Sequence, residues 1–254
     1  MTSPPFSPEK MERFLEVDAL RGAAVVLMVL YHFLFDYSFF VQPLVDVYSG
    51  WAFVVGRTSA ILFVGLAGLS WTLHSHRKHA AAPTRENEWR VYVRRGIVLL
   101  CAGLGISLAT FLLFPPNAIW FGVLHLLGFS FIFGLPFLHR PRAALLAGIL
   151  LAGVGILLST IFSAQLPFWP IVLPVTFSTF DYFPLLPWFG VFLLGIWAGH
   201  YFYPQGKTLA KKIIRVPDTA FTRVLATLGK KSLLIYLIHQ PILIGIILLA
   251  RSAV

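Results

Sequence analysis

Four ionisable residues fall on one face of a single apolar stretch near the start of the chain: Asp18, Arg21, His32 and Asp36. At about 100° per residue, the interval from Arg21 to His32 is about three full turns, and Asp36 follows His32 by one more turn. Arg21 and His32 then lie about 16 Å apart along the helix axis. That spacing puts the arginine at a membrane surface and the histidine near mid-depth. Polar groups at such depth are unfavourable unless they face a cavity or one another. A carboxylate one turn from an imidazole can fix its tautomer and stabilise its charged form, as a general base requires. Hydrogen bonding to neighbouring helices is the other use of such a stripe. His32 and Asp36 are the candidate catalytic pair.

Further polar groups fall at similar depth. Arg57 is about two turns inside a second apolar run and needs a partner or a wet cavity. An Asp36–Arg57 ion pair is expected, and substrate binding by Arg57 is the equal alternative. His125 lies in Phe121-Gly-Val-Leu-His-Leu-Leu-Gly128, and His239 in Tyr236-Leu-Ile-His-Gln-Pro241. Pro241 cannot donate a backbone hydrogen bond, which frees a carbonyl near His239. His32, Asp36, Arg57, His125 and His239 come from four different apolar runs, and their convergence would make a buried polar site. The aromatic segment Gln165–Pro170, Phe180–Pro184 and Trp188 reads as an interfacial belt. As a sugar platform, it would use Trp188 for stacking and Asp181 for a hydroxyl or amine. In Trp89-Arg-Val-Tyr-Val-Arg-Arg95, Arg94 and Arg95 open a helix, where positive charge opposes the macrodipole. Membrane topology explains them, and so does an anion such as a nucleotide phosphate held by guanidinium and free N–H groups. His74, His76 and His79 sit among Arg77 and Lys78, and Cys101 is the one cysteine, so no metal is expected.

The elements that position these groups are membrane helices. Of the 254 residues, 58% are hydrophobic and 12% charged, against about 45–50% and about 25% in soluble domains. The mean hydropathy of +0.81 exceeds what a soluble core of this size can bury. An all-α helix bundle of about seven transmembrane spans is predicted as one domain, 1–254. The spans run Ala19–Val41, Trp51–Leu73, Val93–Leu113, Ile119–Leu138, Ala143–Phe162, Pro184–Tyr203 and Ser232–Leu249. The apolar run from Ala19 reads as a retained span rather than a cleaved signal.

All but two of the 20 Lys and Arg residues fall in the N-terminal segment up to Arg21, in Leu73–Arg95, in His139–Arg142 and in Pro204–Lys231. Arg57 and Arg251 are the exceptions. Basic gaps face the cytosol. The N-terminus is therefore expected inside and the C-terminus outside, with Gln42–Gly50, Phe114–Ala118 and Ser163–Phe183 external. The net charge of +10 thus reports topology, and no nucleic-acid partner is expected. Leu209–Leu228 mixes apolar and basic residues and reads as an interfacial helix. Gly195 and Gly199 form a small-xxx-small packing pair.

The segment Glu16-Val-Asp18-Ala-Leu-Arg21-Gly22 with Tyr31-His32-Phe33 and Asp36 resembles bacterial members of the heparan-α-glucosaminide N-acetyltransferase catalytic-domain family. Phe183-Pro-Leu-Leu-Pro-Trp188-Phe-Gly190 and Ser232-Leu-Leu-Ile-Tyr236-Leu-Ile-His239-Gln-Pro241 are similar to it as well. Arginine, ten residues and histidine is also similar to a signature of acyltransferase family 3, and Tyr92-x-Arg94-Arg95 resembles part of a second. Val91 and Asn87 depart from that second pattern, where a phenylalanine and an arginine stand.

The resemblance implies a transmembrane acyltransferase that uses acetyl-CoA. Its donor residues would be Arg21, Tyr92, Arg94 and Arg95, and its base or acyl carrier His32. The acceptor would be the amine or hydroxyl of an extracytoplasmic sugar or glycan near Arg57, His125, Asp181, Trp188 and His239. Direct transfer and a transient acetyl-His32 both fit. The expected location is the plasma (inner) membrane of the cell envelope, with lipid, acetyl-CoA and glycan as partners and a homo-oligomer left open. Two other classes stand beside it: a transporter with a polar midplane site, and a non-catalytic assembly partner in which the stripe is helix glue.

Overall fold

The computed structural model describes residues 14–81, 88–161, 179–204 and 216–252. Without water in a hydrocarbon layer, every backbone N–H and C=O must be satisfied within the chain, and the apolar runs form helices accordingly. In chain order these are α1 (Leu15–Phe40), α2 (Gly50–Ala81), α3 (Glu88–Leu113), α4 (Val123–Phe133), α5 (Pro141–Ile161), α6 (Leu185–Phe202), α7 (Ala220–Lys230) and α8 (Ser232–Ser252). Single 3-10 turns occupy Pro115–Asn117 and Leu135–Phe137. Among the described residues, the one isolated β-bridge joins Phe121 and Tyr182. The chain is an all-α integral membrane protein. Among the described residues, six helices (α1, α2, α3, α5, α6 and α8) are long and apolar enough to cross a membrane.

The segment expected as the fourth span, Ile119–Leu138, differs from the others. Its helix, α4, has 11 residues and rises about 16 Å. Gly122 enters it in an extended conformation (φ −86°, ψ −175°). Gly134 and Pro136 end it in a 3-10 turn, because proline offers no N–H to continue the ladder. Counted with α4, the apolar helices among the described residues number about seven, as the apolar runs predict.

Packing divides the chain into two compact units, residues 1–66 with 210–254 and residues 67–209, so each takes part of α2. In the first unit, α1 packs on α7 and α8. The α1–α7 crossing is backbone on backbone. A side chain on Gly22 would collide with the Leu225 carbonyl, and one on Gly229 with the Asp18 carbonyl. Small residues at such crossings let helices approach without a water-driven force between them. Thr219 caps α7 by accepting the Thr222 N–H at 3.2 Å. Thr222, Ala226 and Gly229 form its buried face, and Phe221 and Val224 point outward. This is the described part of the expected interfacial helix; Leu209, Ile213 and Ile214 lie outside the described residues.

In the second unit, α5 and α6 approach through Gly148, Gly155 and Gly190. Gly199 of α6 sits on Thr72 of α2, where an added Cβ would be 2.7 Å from the threonine Cβ, so the glycine packs as its spacing suggests. Thr72 also donates to the Ile196 carbonyl at 3.2 Å. Trp71 is the centre of an aromatic core with Tyr92, Phe131 and Phe192 at ring separations of 4.8, 5.6 and 5.6 Å.

Candidate active site

The first unit brings His32 of α1 and His239 of α8 together. Their ring centroids are 4.8 Å apart and the planes meet at 75°, edge to face. Each ring is held by its own helix. His32 Nδ1 lies 2.8 Å from the Met28 carbonyl one turn back, and His239 Nδ1 lies 2.7 Å from the Tyr236 carbonyl and 3.2 Å from that of Ile235. A carbonyl can only accept, so Nδ1 carries the hydrogen in both rings. In the neutral imidazole, Nε2 is then the lone-pair atom of each. His239 is buried, and its Nε2 has no hydrogen-bond partner.

The one-turn spacing predicts that Asp36 orients His32, but Asp36 does not. Its Oδ1 accepts from Gln240 Nε2 at 2.9 Å, while its Oδ2 has no hydrogen-bond partner. The Met28 carbonyl has taken the orienting role, because a helical histidine reaches its own i−4 carbonyl without any tertiary partner. The expected Asp36–Arg57 ion pair is absent too. Arg57 is exposed on α2 and lies over the Phe53 ring at 4.9 Å, one turn away on its own helix. Gln240 is a member of this cluster that the charged and aromatic pattern of the sequence does not mark. Its signal was a hydrogen-bonding side chain beside His239 in an otherwise apolar span.

Arg21 also lies in this unit. Its guanidinium is 3.1 Å from Asp18 Oδ1, and both side chains are largely buried. The stripe therefore neutralises its own arginine at one end.

The remaining candidates belong to the second unit. Tyr92 is fully buried against Trp71 and His74, so it is a core residue of α3. Arg94 and Arg95 are exposed. Because α3 begins at Glu88, they lie beyond its first turn, away from the free N–H groups expected beside them. His125 stacks on Phe121 at 5.6 Å, and its ring lies against Gly103, whose missing side chain leaves room for it. His125 Nε2 is buried without a hydrogen-bond partner. Trp188 is buried, with Phe183 at 4.8 Å. Gln165–Pro170 lies outside the described residues.

Asp181 takes a structural position. Its Oδ2 accepts the Val123 N–H at 3.3 Å and so satisfies the start of α4. Burial outweighs the hydrogen bonds from the Val123 and Tyr182 backbones and lifts its pKa to about 6. Backbone bonds from Phe183 N–H to the Phe121 carbonyl (2.9 Å) and from Phe180 N–H to the Asn117 carbonyl (3.1 Å) fix the two segments side by side. Among the described residues, no group of three or more His, Cys, Asp or Glu could hold a metal ion.

No curated protein and no solved structure matches the chain. A family model does, over residues 13–241, which takes in the polar stripe of α1 at one end and His239 at the other. The chain belongs to the family described as heparan-alpha-glucosaminide N-acetyltransferase, catalytic.

Proposed function

We propose that this protein is a membrane-embedded acyltransferase that moves an acetyl group from cytosolic acetyl-CoA to an amine or hydroxyl of an extracytoplasmic sugar or glycan. Family membership supports a membrane acetyltransferase-type activity, and members of that family use acetyl-CoA as donor. The observation that carries the reading further is the histidine pair. His32 is held so that Nε2 of the neutral ring faces outward from its own helix as base or nucleophile.

In this reading Arg94 and Arg95 draw in the anionic donor, and Tyr92 supports them from the core. Arg21, held by Asp18, is likewise assigned to the donor. His239 stands beside His32, and Arg57, His125, Asp181 and Trp188 are each assigned to acceptor binding. Asp36 acts through Gln240 rather than through His32. The whole chain, 1–254, is the acting domain. It sits in the plasma (inner) membrane with its N-terminus in the cytosol and its C-terminus outside, following the distribution of Lys and Arg.

The test is transfer of radiolabelled acetyl from acetyl-CoA to glucosamine, which offers both an amine and hydroxyls, by purified protein in nanodiscs. His32→Ala is expected to lower transfer by about 10²–10⁴-fold, the range of a lost general base, without loss of the folded, monodisperse species. Protein that neither binds nor turns over acetyl-CoA, or a His32→Ala variant with normal transfer, ends the proposal.

A further inference from the structure

Once an acyl group sits on His32 Nε2, the lone pair that would take the acceptor's proton is occupied. A two-step transfer therefore needs a second base for its second half. The neighbouring ring meets that need. His239 lies edge to face with His32 at 4.8 Å. Its Nδ1–H is committed to the Tyr236 and Ile235 carbonyls, which leaves the lone pair on Nε2. That Nε2 is buried with no hydrogen-bond partner, on a residue only 7% exposed. A buried acceptor without a donor is unfavourable, and such groups are rare enough to call for a use. The spacing of the two rings is also braced. Gln240, the next residue after His239, is bonded to Asp36, one turn beyond His32. Reacting groups keep their geometry when supporting bonds of this kind lock the elements that carry them.

We propose that His32 carries the acyl group and that His239 is the base that deprotonates the acceptor. The assignment rests on the acyltransferase reading of His32. In the first half, His32 Nε2 attacks the thioester carbonyl carbon. The carbon–sulfur bond breaks, and sulfur leaves with the bonding pair as a thiolate that takes a proton from solvent. The ring is then an acyl-imidazolium whose Nδ1–H stays on the Met28 carbonyl. In the second half, the acceptor's nitrogen or oxygen bonds to the acyl carbon and gives its proton to His239 Nε2. The bond from the acyl carbon to His32 Nε2 breaks, and its electron pair returns to the ring. His239 then returns the proton to solvent. The sum is thioester plus acceptor giving acylated acceptor plus thiol.

The experiment separates the two halves in the purified full-length protein. With radiolabelled acetyl-CoA alone, wild type is expected to take up about one label per chain and release an equal amount of thiol, and His32→Ala neither. His239→Gln is expected to take up label within about twofold of wild type yet transfer it to glucosamine at least about 100-fold more slowly. Free imidazole is expected to restore part of the transfer in His239→Gly, a rescue that a packing role would not show. His239→Asn serves the same comparison if the glutamine variant does not purify as a single species.

Three results overturn the assignment: wild type that transfers without ever holding label, His239→Gln with normal transfer, and His239→Gln with labelling and transfer reduced in equal measure. The first of these leaves His32 as a base in direct transfer. The absence of both labelling and transfer in wild type removes the acyltransferase reading itself.

Discussion

Gln240 shows how much of a buried polar cluster depends on one neutral side chain. Its amide is bonded to Asp36, a carboxyl that is almost fully buried. Gln240→Leu would remove a donor and keep the acceptor in place, the more harmful direction of change. Unfolding in detergent should show a loss of about 1–3 kcal/mol. Asp181 offers a prediction in pH. Its folded pKa of about 6 lies above the ordinary carboxyl value of 3.8, so the folded state holds the proton more tightly than the unfolded chain does. The stabilising contribution is full below the unfolded value and is lost as pH rises through about 6. Asp181→Asn keeps an acceptor for the Val123 N–H and has no proton to lose. Its stability relative to wild type should therefore rise across that window and level off above it, which thermal melts from pH 4 to 8 would read.

At the scale of elements, the α1–α7 crossing is the most demanding contact. Gly22 and Gly229 bring each helix against the other's backbone, so the clash from an added side chain cannot be relieved by a change of rotamer. Gly22→Val and Gly229→Val are each expected to destabilise by about 1–3 kcal/mol through overpacking. Gly105→Ala is the control, because a Cβ there meets nothing within 4 Å. In a helix interior that change should stabilise by about 0.5–1 kcal/mol, so denaturation should move the two kinds of variant in opposite directions. The short α4 illustrates the converse. Its ends are set by Gly122 and by Gly134 with Pro136, while Asp181 supplies the acceptor that a longer, continuous span would not need.

For the molecule as a whole, the distribution of basic residues makes a topology claim that labelling can test. In a Cys101→Ser background, cysteines placed at Tyr48 and Pro116 should react with a membrane-impermeant maleimide from outside intact cells. A cysteine at His139 should react only after permeabilisation. The reverse pattern would invert the orientation and move the arginines of α3 away from a cytosolic donor. Helix identity was legible across the chain because the apolar runs repeat over lengths that only a membrane helix uses. The α4 segment was legible as apolar and not as short, since hydropathy averages over the glycines and the proline that end its helix.

The sequence by itself determined that the chain is a bundle of membrane helices and that α1 carries Arg21, His32 and Asp36 on one face. Those properties are periodic and local, fixed by a 3.6-residue repeat and by the hydrogen-bonding needs of a backbone in lipid. It also marked His239 as a polar group at similar depth. The pairings were decided only by tertiary structure. Asp36 turned to Gln240, 204 positions away, rather than to His32 or Arg57. His239 became the neighbour of His32, and Tyr92 a core residue. The physical reason is that a helix's sequence states which residues share a face, whereas docking sets its rotation and depth against each neighbour. A shift of one residue in that docking turns a face by about 100° and changes every partner on it.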